Sequence, residues 1–162
     1  MKGQQGIKFL ADCMLGRLAK WLRILGYDTI YLSSSKGRFP YLITRKEDRI
    51  LLTRDTHLIR RSNIGGFLYI HSDHWEEQLK EIILVLGLNL KPSHKLFSRC
   101  SICNSLTSKA DKINVQPFVP SYVFNNNNDF VYCSYCKKYY WKGTHWDKMN
   151  KKIVELLTSS SP

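Results

Sequence analysis

Apolar residues in the first half of the chain alternate between two patterns. Short apolar runs, each long enough for one buried strand, are separated by segments with an apolar residue at every third or fourth position. In the clearest periodic segment, Leu15, Leu18, Leu22 and Leu25 share one helical face. The runs predict strands at residues 7–11, 29–32, 50–53 and 67–70, and the periodic segments predict helices at residues 15–25, 41–47, 56–61 and 74–86.

Strands that alternate with helices are typical of a parallel sheet with helical crossovers. Residues 1–90 are therefore predicted to form an α/β domain with a small, doubly wound parallel sheet. The expected strand order is 2-1-3-4, in which the first and third strands are neighbours. Residues 91–98, which include Pro92, are predicted to be a linker.

The second domain, residues 99–162, has a different pattern. Short strands and turns are expected between two cysteine pairs, with a polar loop at Asn125–Asn128, and a last helix is expected at residues 147–157. Each pair is a C-x-x-C motif, a turn that directs two thiolates at one metal ion. The sequence thus predicts one structural zinc in a zinc ribbon, held by Cys100, Cys103, Cys133 and Cys136. His145 is an alternative ligand, and Cys13 is expected to be a small buried residue at a helix start.

No apolar run approaches the length of a membrane helix, and no signal segment precedes the first strand. Paired C-x-x-C motifs in such a chain favour zinc over disulfides, and a cytoplasmic location is expected.

The chain is strongly basic. It has 25 Lys and Arg against 13 Asp and Glu, a net charge of +12, and both halves carry the excess. Such a charge favours a polyanionic partner, most often a nucleic acid. The candidate RNA-binding residues are Arg17, Lys20, Arg54 and Arg61 in the first domain and Lys137, Lys138 and Lys142 in the second. The alternative is a solvated charged face.

Aromatic residues lie among the basic residues of the second domain. Such interleaving suits base stacking with phosphate contact, although the same rings could form the small core of the ribbon. These residues are Tyr135, Tyr139, Tyr140, Trp141 and Trp146.

Topology selects three acidic residues as site candidates. Asp12, Asp55 and Asp73 each follow a predicted strand, so they lie at the carboxyl edge of the sheet, where ligands of open α/β sheets bind. Clustered carboxylates in a basic protein favour a divalent cation, either Mg²⁺ or Mn²⁺. An ion held there beside a phosphodiester could activate water for hydrolysis. In contrast, Asp28 and Glu47 precede strands and belong to the opposite edge.

Each of these acids also has a structural alternative. Asp12 and Asp55 could cap the helices that follow them. Asp73 and Glu76 have the spacing of a capping box, which would explain Asp73 without a metal.

Several motifs resemble the Mut-seven C-terminal ribonuclease family. These are FLADCMLGRLAKWLRILGYDT at residues 9–29, LLTRD at residues 51–55, RCxxCN at residues 99–104 and CxxCxxxYWxGxHW at residues 133–146. The resemblance covers nearly the whole chain. It implies a PIN-like nuclease fold with a C-terminal zinc ribbon, RNA as the substrate class, and Asp12 and Asp55 as metal-binding acids.

One position departs from that pattern. PIN-type nucleases place a further carboxylate after the second strand, whereas residues 33–42 contain no acid. The main hypothesis is a Mg²⁺- or Mn²⁺-dependent endoribonuclease. The alternative is a catalytically degenerate protein that binds RNA, with ribosomal RNA or the ribosome as its expected partner. A toxin-like PIN protein with a protein antitoxin is a third interpretation.

Overall fold

A computed structural model describes residues 6–33, 39–60, 66–88 and 96–143, together with residues 147, 148, 151, 154, 155 and 158. For residues 39–41 it describes the backbone alone. The chain divides into two compact units, one of residues 1–23 and 27–91 and the other of residues 24–26 and 92–162. No helix within the described residues is both long and apolar enough to cross a membrane.

Strands and helices alternate through the first unit, as the sequence predicts. The elements are β1 Lys8–Ala11, α1 Gly16–Ile24, β2 Asp28–Tyr31, α2 Phe39–Glu47, β3 Arg49–Thr53, α3 Thr56–Arg60, β4 Phe67–Tyr69 and α4 Trp75–Leu86. Gly87 ends α4 in the left-handed conformation, with φ of 59°, which glycine adopts without steric strain.

The four strands form one parallel sheet in the order β2-β1-β3-β4, which confirms the predicted fold class and strand order. Ala11 pairs with Leu52 in this register, so Asp12 and Thr53 follow side by side. The register therefore fixes which residues meet at the carboxyl edge.

The core lies around the two central strands. Phe9 and Leu10 of β1 and Leu51 and Leu52 of β3 are fully buried. Successive residues of a strand point to opposite faces, so burial of each adjacent pair means that both faces of the sheet are covered. This explains why these strands read as continuous apolar runs.

Acidic residues at the amino edge of the sheet pair with Arg49, a side chain that is only 6% exposed. Its guanidinium lies 2.7 Å from Asp28 Oδ1 and 2.7 Å from Glu47 Oε2. Burial lowers the pKa of Arg49, but the hydrogen bonds to the two carboxylates outweigh burial and raise the pKa overall. These acids have a structural role away from the carboxyl edge, as topology predicts.

The second unit contains a three-stranded antiparallel sheet in the order β5-β6-β7. Its elements are β5 Ser108–Ala110, α5 Lys112–Val115, a 3-10 helix Gln116–Phe118, α6 Ser121–Asn126, β6 Phe130–Cys133 and β7 Lys138–Trp141. The expectation of strands and turns alone between the cysteine pairs is wrong, because two short α-helices and a 3-10 helix lie between residues 112 and 126. Asn125 and Asn126, expected in a polar loop, end α6. Residues 147, 148, 151, 154, 155 and 158 are also helical.

The helical insertion provides the apolar core of this unit. Val115, Val119, Val123 and Phe130 form a buried cluster, and Trp141 packs against it. The three valines recur every fourth residue, a helical spacing that was visible in the sequence. The intervening Pro117 and Pro120 obscure that pattern by interrupting regular helix.

Candidate active site and candidate metal centre

The two C-x-x-C motifs bring four sulfur atoms together. The Sγ atoms of Cys100, Cys103, Cys133 and Cys136 all lie within 4.8 Å of one another. The Sγ atoms of Cys103 and Cys133 are 3.5 Å apart. Tetrahedral zinc with Zn–S bonds of about 2.3 Å requires sulfur separations of roughly 3.8 Å. The cluster therefore fits a metal such as zinc.

The two turns have the same backbone form. The residue after the second cysteine of each motif has a positive φ, 70° at Asn104 and 55° at Lys137. Asparagine adopts this conformation readily, whereas lysine does so rarely. At Asn104 the amide donates to the Cys100 carbonyl at 3.0 Å, which closes the turn.

The pKa values of the cysteine thiols are shifted in opposite directions. A hydrogen bond to Cys103 and burial raise the pKa of Cys136 to about 12. Burial raises the pKa of Cys103, but hydrogen bonds with Ser105 outweigh burial and lower that pKa to about 6. Four adjacent thiolates repel one another unless a cation neutralises them, so this chemistry favours metal binding.

Tyr140 contributes to the metal centre. Its hydroxyl lies 3.0 Å from Cys100 Sγ. Burial and this hydrogen bond raise the pKa of Tyr140. The sequence suggested base stacking for this residue, whereas the structure places its hydroxyl at a candidate zinc ligand.

The other aromatic residues of the ribbon fall into separate groups. Tyr139 and Trp141 pack against the core of the unit, and Phe118 stacks on Tyr139 with ring centroids 5.3 Å apart. Tyr135 is 79% exposed. Lys137, Lys138 and Lys142 are all exposed, whereas His145 and Trp146 lie outside the described residues.

At the carboxyl edge of the first unit, Asp12 is fully buried and its carboxylate is held by three donors. Oδ1 accepts from the Met14 amide at 2.8 Å, and Oδ2 accepts from the Arg54 amide at 3.0 Å and from the Thr53 hydroxyl. An ionised carboxylate has about four acceptor positions, so these contacts leave capacity for a cation.

Thr53 joins Asp12 to Asp55. The Thr53 hydroxyl that donates to Asp12 also accepts from the Asp55 amide at 3.0 Å. Asp55 Oδ1 accepts from the amides of His57 at 2.8 Å and Leu58 at 3.3 Å, so it caps α3 as the structural alternative predicts. Among the described residues, Asp55 Oδ2 has no hydrogen-bond donor. Sequence reasoning missed Thr53 as a site residue, although within the LLTRD motif it directly precedes Arg54 and Asp55.

Asp73 lies in a different environment. Its carboxylate pairs with the Nη1 atom of Arg54, and its side chain is 83% exposed. The N-cap of α4 is His74, so the predicted capping box with Asp73 as its cap is wrong. Nη1 of Arg54 also donates to the Ser72 carbonyl at 2.7 Å.

The segment that carries Asp73 is held by α4. Glu81 accepts from the amides of His71 and Ser72, each at 2.9 Å. The Gln78 amide donates to the Ser72 carbonyl at 2.9 Å. Neither Glu81 nor Gln78 stood out in the sequence, because both lie within a regular amphipathic helix.

An open cleft of about 380 Å³ lies beside Asp73. Its lining also includes Met14, Arg17, His74, Trp75, Glu76 and Gln78. Trp75 stacks on Trp21 of α1, with ring planes 5° apart and centroids 4.1 Å apart. The side chains of Arg17 and Lys20 are exposed, whereas Arg61 lies outside the described residues. Cys13 is exposed and precedes α1, so the expectation that it is buried at the helix start is wrong.

Metal-ligating side chains converge in groups of three or more at one place among the described residues, the cluster of four cysteines. The candidate acids are therefore a linked pair, Asp12 and Asp55, with Asp73 engaged by an arginine.

The family model described as Mut7-C RNAse domain matches residues 7–153, which is most of the chain. No curated protein and no solved structure matches the chain significantly. The family match indicates a ribonuclease-related function that involves RNA.

Proposed function

Because the chain belongs to the Mut7-C RNAse domain family, we propose that it is an endoribonuclease that uses Mg²⁺ or Mn²⁺ to hydrolyse RNA phosphodiesters. The observation that carries the proposal is that one Thr53 hydroxyl, at the carboxyl edge, bonds both the Asp12 carboxylate and the backbone amide of Asp55. Two carboxylates with water as the remaining ligands are a normal donor set for Mg²⁺.

The residues of the pair have different tasks in this proposal. Three donors fix the Asp12 carboxylate, so it would meet a cation without reorganising. Asp55 would supply the oxygen that does not cap α3. The divalent ion would lower the pKa of a bound water and stabilise the leaving oxygen.

The RNA would be held by exposed basic side chains. Arg17 lines the cleft, and Lys20 lies one turn further along α1. On the second unit, exposed Lys137, Lys138 and Lys142 would contact phosphates, while exposed Tyr135 offers a ring for stacking. We further propose that the RNA is ribosomal, alone or in the ribosome, and that the protein acts in the cytoplasm.

A second candidate function is RNA binding without cleavage. The observation that favours it is the pairing of Asp73 with Arg54, which leaves this acid engaged by a cationic side chain. Residues 33–42 also contain no acid that could replace it.

A cleavage assay separates the two candidates. Labelled RNA is incubated with the zinc-loaded protein, either with added Mn²⁺ or with no added divalent ion. Chelators are avoided because they would also remove the ribbon metal. Cleavage that requires Mn²⁺ and is lost in Asp12→Asn supports the nuclease. RNA binding without cleavage under any of these conditions supports the second candidate.

A further inference from the structure

The side chain of Arg54 has unused hydrogen-bonding capacity. Within the described part of the chain, its side chain makes polar contacts to Asp73 and to the Ser72 carbonyl, and both use the same nitrogen, Nη1. Nε is buried and has no hydrogen-bond partner among the described residues. A buried donor without an acceptor is unfavourable, and a guanidinium offers five donors in a planar fork. The group is therefore suited to a larger oxyanion than one carboxylate.

The two partners of this ion pair differ in how firmly they are held. Arg54 is only 18% exposed, and its backbone amide is fixed by Asp12. Asp73 is 83% exposed, and within the described residues its side chain contacts Arg54 alone. Ion pairs with an exposed partner contribute little stability, so this carboxylate could leave at small cost. The pair thus combines a fixed cation with a displaceable anion.

The Arg54–Asp73 ion pair lies where an RNA strand could pass, between the carboxyl edge of the sheet and the cleft. Arg54 lies between Thr53 and Asp55, at the carboxyl edge that also carries Asp12. Asp73 lines the cleft together with Arg17 and Trp75. A strand in that cleft would bring a phosphate to the place that the Asp73 carboxylate occupies. Arginine binds phosphate oxygens in a bidentate manner that the single Nη1 contact does not use.

We propose that the guanidinium of Arg54 is a binding subsite for an RNA phosphate, and that Asp73 covers this subsite in the RNA-free protein and is displaced by the phosphate. The inference rests on the proposed function only in that RNA is the ligand. In this role Asp73 differs from a metal ligand. Loss of its negative charge should strengthen RNA binding, whereas loss of a metal ligand would weaken metal binding.

The test measures affinity for a fluorescein-labelled single-stranded RNA in buffer without added divalent ions, using the full zinc-loaded chain. Asp73→Asn removes the covering charge. Glu77→Gln is the matched control, because Glu77 is an exposed acid in the first turn of α4 that does not line the cleft. Arg54→Lys, alone and combined with Asp73→Asn, keeps the positive charge but removes the planar fork.

Asp73→Asn is expected to tighten RNA binding about threefold to fivefold, against a change of less than about twofold in Glu77→Gln. The gain should shrink by at least half in the Arg54→Lys background. Equal gains in the two acid variants, weaker binding by Asp73→Asn, or a gain unaffected by Arg54→Lys would each overturn the proposal. The cleavage assay reports separately on the proposed function, since RNA can bind in this buffer whether or not the protein is a nuclease.

Discussion

The hydroxyl of Tyr140 lies 3.0 Å from the Sγ atom of Cys100, and this contact connects the strand β7 to the first cysteine turn. Partners of metal ligands orient them, and loss of such a partner typically weakens metal binding by about tenfold or more. Tyr140→Phe should therefore lower zinc affinity by about tenfold, measured by competition with a chromophoric chelator. Tyr139→Phe is the control, because the Tyr139 hydroxyl instead reaches the carbonyl of Asn114. Equal affinities in the two variants would contradict the prediction.

Zinc should be required for folding of the second unit. Cys133 is fully buried in the cluster, and a small module cannot bury enough apolar area without its metal. Cys133→Ser should lose about one zinc per chain and most of the structure of residues 99–143. The amide spectrum should retain the signals of the first unit. A folded ribbon in the zinc-free protein, or a disulfide between these cysteines, would refute the metal site.

Zinc binding should weaken as the pH falls. Thiols must lose their protons to bind metal, and the pKa of Cys136 is raised to about 12 whereas that of Cys103 is lowered to about 6. At neutral pH, binding should release protons chiefly from thiols with raised pKa values. Below about pH 6, Cys103 should also take up a proton and compete with the metal. Zinc release followed by the chelator during acid titration measures this, and an affinity that is unchanged by pH would exclude it.

Asp12→Asn should abolish RNA cleavage and lower the stability of the first unit. The charge that would hold the cation is lost, so Mn²⁺-dependent cleavage should fall below detection. The Asn amide has a single acceptor oxygen, so if that oxygen keeps the bonds from the Thr53 hydroxyl and the Arg54 amide, its NH2 group faces the Met14 amide donor. An unpaired buried donor costs about 1–3 kcal/mol, so the free energy of unfolding in urea should fall by about that amount.

Thr53→Val is the companion variant for this test. It removes the hydroxyl link to Asp12 and Asp55 but leaves both charges, so cleavage should decrease without disappearing. Asp129→Asn, an exposed acid of the second unit, should change neither cleavage nor stability. Full cleavage by Asp12→Asn would show that the carboxylate pair is not the catalytic site.

Arg49→Met should destabilise the first unit without changing the affinity of the protein for RNA. The variant leaves Asp28 without its cation, and removal of one partner from a largely buried pair is costly. The exposure of Glu47 reduces the loss, so we expect a decrease of about 2–3 kcal/mol in the free energy of unfolding. RNA affinity at a temperature where the variant remains folded should equal that of the wild type.

The sheet could be predicted from the sequence because its central strands are buried on both faces. Runs such as residues 50–53 are then continuous and apolar, and the order of the strands fixes which acids share an edge. The cysteine cluster could also be predicted from the sequence, because the spacing within each C-x-x-C motif determines the turn that brings its two thiols together.

The environments of the individual acids could not be predicted. Whether Asp73 meets a metal, a helix N-terminus or an arginine depends on side-chain contacts between residues distant in sequence, such as its pairing with Arg54. The helical insertion between residues 112 and 126 was missed for a different reason, because Pro117 and Pro120 break it into short helices and obscure the four-residue spacing of its valines.

The strand β3 carries Arg49 at one end and Thr53 at the other, a separation of about 13 Å at 3.3 Å per residue. Substitutions that far apart usually have additive effects on stability. Engineering can therefore treat the two ends as independent modules: stabilising replacements at the amino end could compensate for an inactivating Asp12→Asn at the other. Under the proposed function, such a doubly altered chain would be a stable reagent that binds RNA without cutting it.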